Sequence, residues 1–124
     1  MDEKRYTFPR TRRLGGKVEF ANVFDAKVRE SRGPLMAYAR PNDLGHARLG
    51  ITISRKVGTA ARRNRIKRLL RESFRLLQHD LPRGYDLVIV VRPHDPLWLG
   101  DYQRLLSALF VKLHRKWTPK GTSD

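Results

Sequence analysis

The stretch Arg62-Arg63-Asn64-Arg65-Ile66-Lys67-Arg68-Leu69-Leu70-Arg71-Glu72-Ser73-Phe74-Arg75 sets a dense row of cations on a helical hydrophobic rhythm. Guanidinium and ammonium groups at that density are suited to phosphate, which accepts several charge-assisted hydrogen bonds at once. At about 100° per residue, Ile66, Leu69, Leu70, Ser73 and Leu77 share one arc, with Phe74 and Leu76 at its margins. Lys67, Arg68, Arg71 and Arg75 take the opposite side together with Asn64. One face can dock on a core while the other presents a cationic ridge. A merely solvated helix interleaves acids with bases at i, i+4; here Glu72 is the only acid between Asp43 and Asp80. The cations also crowd the first turns, where the helix dipole is already positive. An anionic partner resolves that conflict.

A second group of residues could serve the same chemistry. Phe8, Phe20, Phe24 and Tyr38 lie among basic residues, and rings beside a basic groove hold single-stranded nucleic acid by stacking. Phe20 and Phe24 are also spaced i, i+4, as a pair plugging a core would be, and taken singly each is better read that way. Trp98 and Trp117 are assigned to the core or to helix anchoring.

Catalytic chemistry is harder to find. His46, His79, His94 and His114 are scattered, without the spacing of a metal-binding helix. No serine sits in a nucleophile motif. Gly15-Gly16-Lys17 lacks the rest of a phosphate-binding loop and reads as a turn. Metal-assisted phosphodiester cleavage needs clustered carboxylates, and the 12 acids are dispersed singly apart from Asp2-Glu3. The expectation is no catalytic residue, no metal site and no bound cofactor in the protein.

Composition bounds the class. The 27 Lys and Arg against 12 Asp and Glu give a formal charge of +15 over 124 residues, a field that attracts polyanions. The length suits one domain, 1–124. The absence of cysteine excludes a disulfide scaffold and thiolate chemistry and fits a reducing compartment. No apolar stretch approaches the ~20 residues of a membrane span, and the N-terminus lacks a signal-peptide core. A soluble, cytoplasmic, polyanion-binding chain without a membrane or obligate protein partner is expected.

The elements that must position these residues follow from periodicity and turn signals. Residues 1–13 read as an extended, flexible basic segment. A first helix covers about 17–27, with Val18, Phe20, Ala21, Val23 and Phe24 at helical spacing. Strands are expected at 28–32, 35–39 and 49–53, separated by Gly33-Pro34 and Pro41-Asn42-Asp43. The basic helix occupies about 59–79 with Thr59 as N-cap. Leu87 to Val91 is an unbroken aliphatic run, the pattern of a strand covered on both faces. Asp101 is expected to cap a last helix whose stripe is Tyr102, Leu105, Leu106, Leu109, Leu113 and Trp117, before a frayed tail at 118–124. The order α-β-β-β-α-β-α makes an α+β domain, one sheet backed by helices.

The segment from Gly50 to Arg75, with Ser54-Arg55-Lys56-Val57-Gly58 leading to Arg63-Asn64-Arg65, resembles the signature of the bacterial ribonuclease P protein subunit. Arg55 stands where the family pattern has the first of two lysines, which keeps the charge and changes the geometry. Arg13-Leu14 ahead of Phe20-x-x-x-Phe24, Tyr85-Asp86 opening a strand that ends in Arg92-Pro93, and a closing helix near Tyr102 extend the likeness over about 8–116.

The resemblance implies a protein subunit of a ribonucleoprotein that removes the 5′ leader of precursor tRNA, with metal-dependent hydrolysis, expected to use Mg2+, carried by the RNA subunit. By position it implies that Arg62, Arg63, Asn64, Arg65, Lys67, Arg68 and Arg71 meet the RNA subunit. It places Phe8, Phe20, Phe24, Tyr38, Arg48, Arg55 and Lys56 along a cleft for the leader, between the sheet and the first helix. It also implies a left-handed βαβ crossover, against the general right-handed rule. Two other classes stay open on the residues alone: a basic ribosomal or RNA-chaperone protein, and a stand-alone basic ribonuclease. The Arg63-Asn64-Arg65 context disfavours the first, and the lack of a His pair or acid cluster disfavours the second.

Overall fold

The computed structural model describes residues 10–118. A 3-10 turn at Arg10–Arg12 is followed by helix α1 (Gly16–Asp25), strands β1 (Arg29–Arg32), β2 (Leu35–Pro41) and β3 (Arg48–Ile53), a 3-10 turn at Arg55–Val57, helix α2 (Ala60–Leu77), strand β4 (Tyr85–Val91) and helix α3 (Leu99–Trp117). This is the anticipated α+β domain, an open mixed sheet in the order β1-β2-β4-β3. β1 and β2 form a hairpin, β2 runs antiparallel to β4, and β3 runs parallel to it. A parallel pair needs a crossover connection, and α2 supplies it, forming the βαβ unit to which the resemblance attaches a left-handed hand.

β4 explains the two-layered core. Leu87, Ile89 and Val91 point to one face, with Leu35, Ala37, Ala39 and Leu49, and pack against Ile66, Leu70 and Phe74 of α2 and Tyr102, Leu106, Leu109, Phe110 and Leu113 of α3. Val88 and Val90 point to the other face and pack with Leu14, Val23, Phe20, Phe24 and Tyr38. A strand covered on both sides must be apolar at every position rather than at alternate ones. Its aliphatic run is the direct record of that burial.

The N-terminal stretch is more ordered than its sequence suggests. Residues 1–9 lie outside the described residues, but Arg13 bridges to Leu49 in parallel register and the Leu14 N–H donates to Leu49 O at 3.0 Å. At the other end, Thr118 N–H donates to His114 O at 3.0 Å, and residues 119–124 are likewise outside the description. α1 stops at Asp25, earlier than its periodicity implies, because Lys27 takes a left-handed conformation with φ of 59°. Its N–H closes the helix on Phe24 O at 3.0 Å.

Three other expectations are corrected. Phe74, placed at the margin of the basic helix's apolar arc, is fully buried, edge-on to Phe110 with ring centroids 6.4 Å apart. The arc centres nearer to it because α2 packs against α3 as well as against the sheet. Asp101 does not cap α3 from the N-cap position: the helix starts at Leu99, and Asp101, in its first turn, accepts the N–H of the N-cap residue Trp98 at 3.2 Å. Trp98 itself is exposed. Trp117 does anchor the end of its helix, donating from Nε1 to Ala39 O at 3.0 Å.

α1 lies across the strands, and its seat is a missing side chain. A Cβ on Gly50 would come 2.5 Å from Cζ of Phe20 and 3.1 Å from Cδ1 of Leu14, so the ring of Phe20 rests directly on the backbone of β3. Gly50→Ala is expected to lift α1 and destabilise the domain by about 1–3 kcal/mol, as overpacking does. Urea unfolding measures the loss, and an unchanged midpoint would show that Phe20 can leave its seat freely.

Candidate nucleic-acid interface

α2 is started by Thr59, whose Oγ1 accepts the Arg62 N–H at 3.2 Å. Gly58 just before it has φ of 148°, and a Cβ there would lie 2.6 Å from Cδ of Arg62. With Ile66, Leu70, Ser73 and Phe74 buried, the outer face of α2 carries the expected ridge. Asn64, Lys67, Arg68, Arg71 and Arg75 join Arg13 and Glu72 around a hollow of about 490 Å³. Arg13, which the sequence places at the end of the basic N-terminal segment and as a landmark of the resemblance, is brought here by the parallel bridge to Leu49. Glu72 is engaged by Arg75 through two bonds of 2.8 and 2.6 Å. The hydrogen bond and charge of Arg75 hold its carboxyl below the usual range. Lys67, Arg68 and Arg71 form no ion pair among the described residues. Desolvation, and then the charge of Arg13, lower the pKa of Arg71, so the hollow is a place where positive charges crowd one another.

The remaining members of the motif diverge from this ridge. Arg62 turns to the loop after β4 and pairs with Asp95 at 2.9 Å. Arg65 is exposed. Arg63 is half-buried and its Nε donates to Gly58 O at 3.2 Å, tying the 3-10 turn to the first turn of α2. Its truncation therefore carries a structural cost that its cationic type does not advertise.

The opposite face of the sheet holds the second group. α1 passes from β3, where Phe20 covers Gly50, to β2, where Phe24 meets Tyr38 edge-on with centroids 4.8 Å apart. Both rings and Tyr38 are half-buried, so they are core plugs on one side and available surface on the other. Phe24 and Tyr38 line a hollow of about 350 Å³ with Lys27 and Arg29, and Nη1 of Arg29 donates to Tyr38 Oη at 3.3 Å. Lys27 and Arg29 were not singled out from sequence; the register Arg29↔Tyr38 is what puts one of them beside the ring. Past α1, Met36, Val90 and Thr52 form one cross-strand row, all half-buried, that continues the same face as an open shelf. Arg55 and Lys56 are exposed on the 3-10 turn at the end of β3. Phe8 lies outside the described residues.

Arg48 has a different employment. Its Nε and Nη2 grip Asp86 at 2.8 and 2.7 Å, and its Nη1 reaches Glu19 of α1 at 2.7 Å. Asn42 Nδ2 adds a third bond to Asp86 at 2.7 Å. The Asp86 hydrogen bonds, opposed by desolvation, raise the Arg48 pKa well above its ordinary value. Three contacts to two carboxylates engage every nitrogen of the guanidinium, using three of its five N–H donors. It is a clamp between sheet and helix, and its charge is already met by two carboxylates of the protein.

Arg48→Ala leaves Asp86 buried without its cation. Breaking a buried pair costs ~3–5 kcal/mol; with Glu19 and Arg48 partly solvated, about 2–4 kcal/mol is expected here. Chemical unfolding checks it. A variant of native stability with selectively weakened RNA affinity would instead make Arg48 a ligand-binding residue.

Among the described residues no three of His, Asp or Glu gather to hold a metal ion, and no helix is long and apolar enough to cross a membrane. Comparison with known proteins bears on what this surface serves. A family model described as Ribonuclease P matches residues 8–114. The Ribonuclease P protein component of Photorhabdus laumondii is 49% identical over 71% of this chain and 74% of its own length, and that of Methylococcus capsulatus is 51% identical over 70% and 68%. The solved RNase P protein of Thermotoga maritima superposes with a TM-score of 0.74 at 28% identity, over 81% of this chain and 96% of that one. The Staphylococcus aureus RNase P protein gives 0.72 at 25%, over 84% and 95%. With a model spanning most of its length and relatives near half identical, the chain belongs to the Ribonuclease P protein family.

Proposed function

We propose that the chain is the RNA-binding protein subunit of a bacterial ribonuclease P. In this reading it docks on the catalytic RNA through α2 and holds the 5′ leader of precursor tRNA on the face carrying α1. The observation that carries the reading is the hollow lined by Arg13, Lys67, Arg68, Arg71 and Arg75, where five cations face a single acid and the charge of Arg13 bears on Arg71, a setting that suits a phosphate backbone. A ribozyme and a precursor tRNA are both polyanions; a chain of charge +15 set between them screens their repulsion. The RNA performs the hydrolysis and holds the Mg2+ it uses, and the protein supplies positioning.

The second surface suits a leader whose sequence varies. Phe24 and Tyr38 offer ring edges and faces, Lys27 and Arg29 offer charge, and the Met36-Thr52-Val90 shelf offers an apolar floor. Stacking and backbone contacts tolerate any base, whereas base-edge hydrogen bonding does not. The cleft residues drawn from the family, Phe8, Phe20, Phe24, Tyr38, Arg48, Arg55 and Lys56, remain candidates, with Arg48 also serving as the clamp, and Lys27 and Arg29 join them.

Reconstitution with a ribonuclease P RNA at low magnesium tests the reading: RNA alone should process precursor poorly, and added protein should restore cleavage. Protein that cleaves without RNA, or that binds ribosomal RNA and never stimulates the ribozyme, would replace it. The double variant Arg68→Ala/Arg71→Ala is expected to fold normally and to assemble more weakly. Each lost phosphate contact should flatten the slope of log K against log salt by about 0.7–0.9; an unchanged slope would remove α2 from the RNA interface. Tyr38→Ala is expected to weaken binding of leader-bearing precursor about 5- to 100-fold, the range of one lost stacking contact, and to leave mature tRNA binding unaltered. Equal effects on both substrates would exclude a leader contact.

A further inference from the structure

The loop from β4 to α3 is pinned along its length. His94 Nδ1 lies 2.8 Å from Arg92 O, and its Nε2 lies 2.7 Å from Oη of the buried Tyr102. The same Oη accepts the Leu97 N–H at 3.2 Å. Asp95 pairs with Arg62, and Asp101 fixes the Trp98 N–H. At the end of this fastened segment the Trp98 side chain stands 79% exposed. A large ring left in water forgoes the gain of burial. In a frayed loop that exposure is incidental; on a loop held this closely it is a presented surface.

The surroundings are cationic. β1 ends at Arg32, β3 at Ile53 and β4 at Val91, and the register Leu35↔Val91↔Ile53 places these ends side by side. The exposed Arg55, Lys56 and Arg92 follow these ends closely in the chain, and Arg32 lines one hollow with Leu97, the neighbour of Trp98. The local acids Asp95 and Asp101 are each bonded to an arginine, Arg62 and Arg104, so the charge of the other four is in excess. A flat exposed indole amid positive charge fits an unpaired base with its phosphates. A second copy of a +15 chain fits poorly, since like charges would face each other. Trp98 also leads into α3, which with α2 covers the face of the sheet away from α1, and Asp95 ties its loop to the first turn of α2. From this placement we infer that Trp98 is a stacking platform for an unpaired base of the RNA subunit, extending the α2 interface onto the loop before α3. The inference rests on the proposed docking of α2 on that RNA.

The chain has two tryptophans, so fluorescence can read the contact. Wild type and Trp98→Phe are titrated with ribonuclease P RNA while assembly is followed independently by gel shift. Wild-type emission should be quenched in step with assembly, and Trp98→Phe, which retains only Trp117, should show little beyond inner-filter loss. Trp98→Ala should weaken assembly about tenfold, within the range of one stacked base, with an unchanged unfolding midpoint, and Trp98→Phe should recover part of the loss. Assembly without quenching overturns the platform and leaves the proposed function standing. Quenching by a leader oligonucleotide alone assigns the indole to the leader and overturns it too, as does concentration-dependent quenching without RNA, which marks self-association. No assembly at all removes both readings.

Discussion

Two layers of this domain are joined across a single guanidinium. Asp86 sits at the start of β4 with almost no access to water, and a carboxylate there is tolerable only when its oxygens are taken up. Arg48 on the neighbouring strand takes both, with Asn42 assisting, and uses its remaining nitrogen to hold Glu19 on α1. The clamp and the Phe20–Gly50 seat together fix where α1 crosses the sheet. Because they secure the helix over the Arg48 and Asp86 end of the strands, the Met36, Thr52 and Val90 row at the other end is only half-buried and, among the described residues, lies beyond α1. The shape of the proposed leader surface is thus a by-product of where the clamp lies.

The cationic helix is held mainly by its apolar face and its N-terminal cap rather than by pairing of its charges. Few acids stand near enough to offset them, so α2 depends on its buried arc, with Leu70 and Phe74 packed toward α3, and on its N-terminal cap. Gly58 leaves room for the Arg62 side chain, and Arg63 stitches the preceding turn to the helix. That separation of duties frees Lys67, Arg68 and Arg71 to face outward unpaired among the described residues. A helix held by salt bridges would present a neutral face and attract nothing.

Much of this was legible in the residues, and the rest was hidden for identifiable reasons. The period of 3.6 in α2 and the aliphatic run of β4 are local records of one-sided and two-sided burial, so element types and the layered architecture could be read. The clamp made by Arg48 was not legible because an arginine's type says that it binds anions and not that one of them is Asp86, thirty-eight residues away. The need for glycine at position 50 is equally non-local, since it arises from a ring on α1. Trp98 looked like core because most tryptophans are largely buried, and its exposure depends on Tyr102 and Asp101 holding the loop from further along the chain. Arg13 joined the basic hollow only through its bridge to Leu49. In each case the decisive partner lay in another element.

The charge distribution also sets how the protein meets its partner. Arg13, Arg68 and Arg71 converge at one hollow, and Arg62 and Arg65 project from the start of α2, where the helix dipole is positive as well. Such an arrangement places like charges together, as the charge of Arg13 acting on Arg71 records, and under the proposed function a bound polyanion would offset that repulsion. Ligand binding and domain stability are then linked, because whatever binds the folded ridge preferentially also stabilises the fold that builds it. The Arg62–Asp95 pair is the exception that fits this logic: it places a little negative charge beside the ridge, and in doing so it anchors the loop that carries Trp98. Repulsion concentrated on α2 and attraction at its edge together give the ridge a defined boundary, with unpaired cations along the helix and an exposed aromatic ring on the loop that the pair holds.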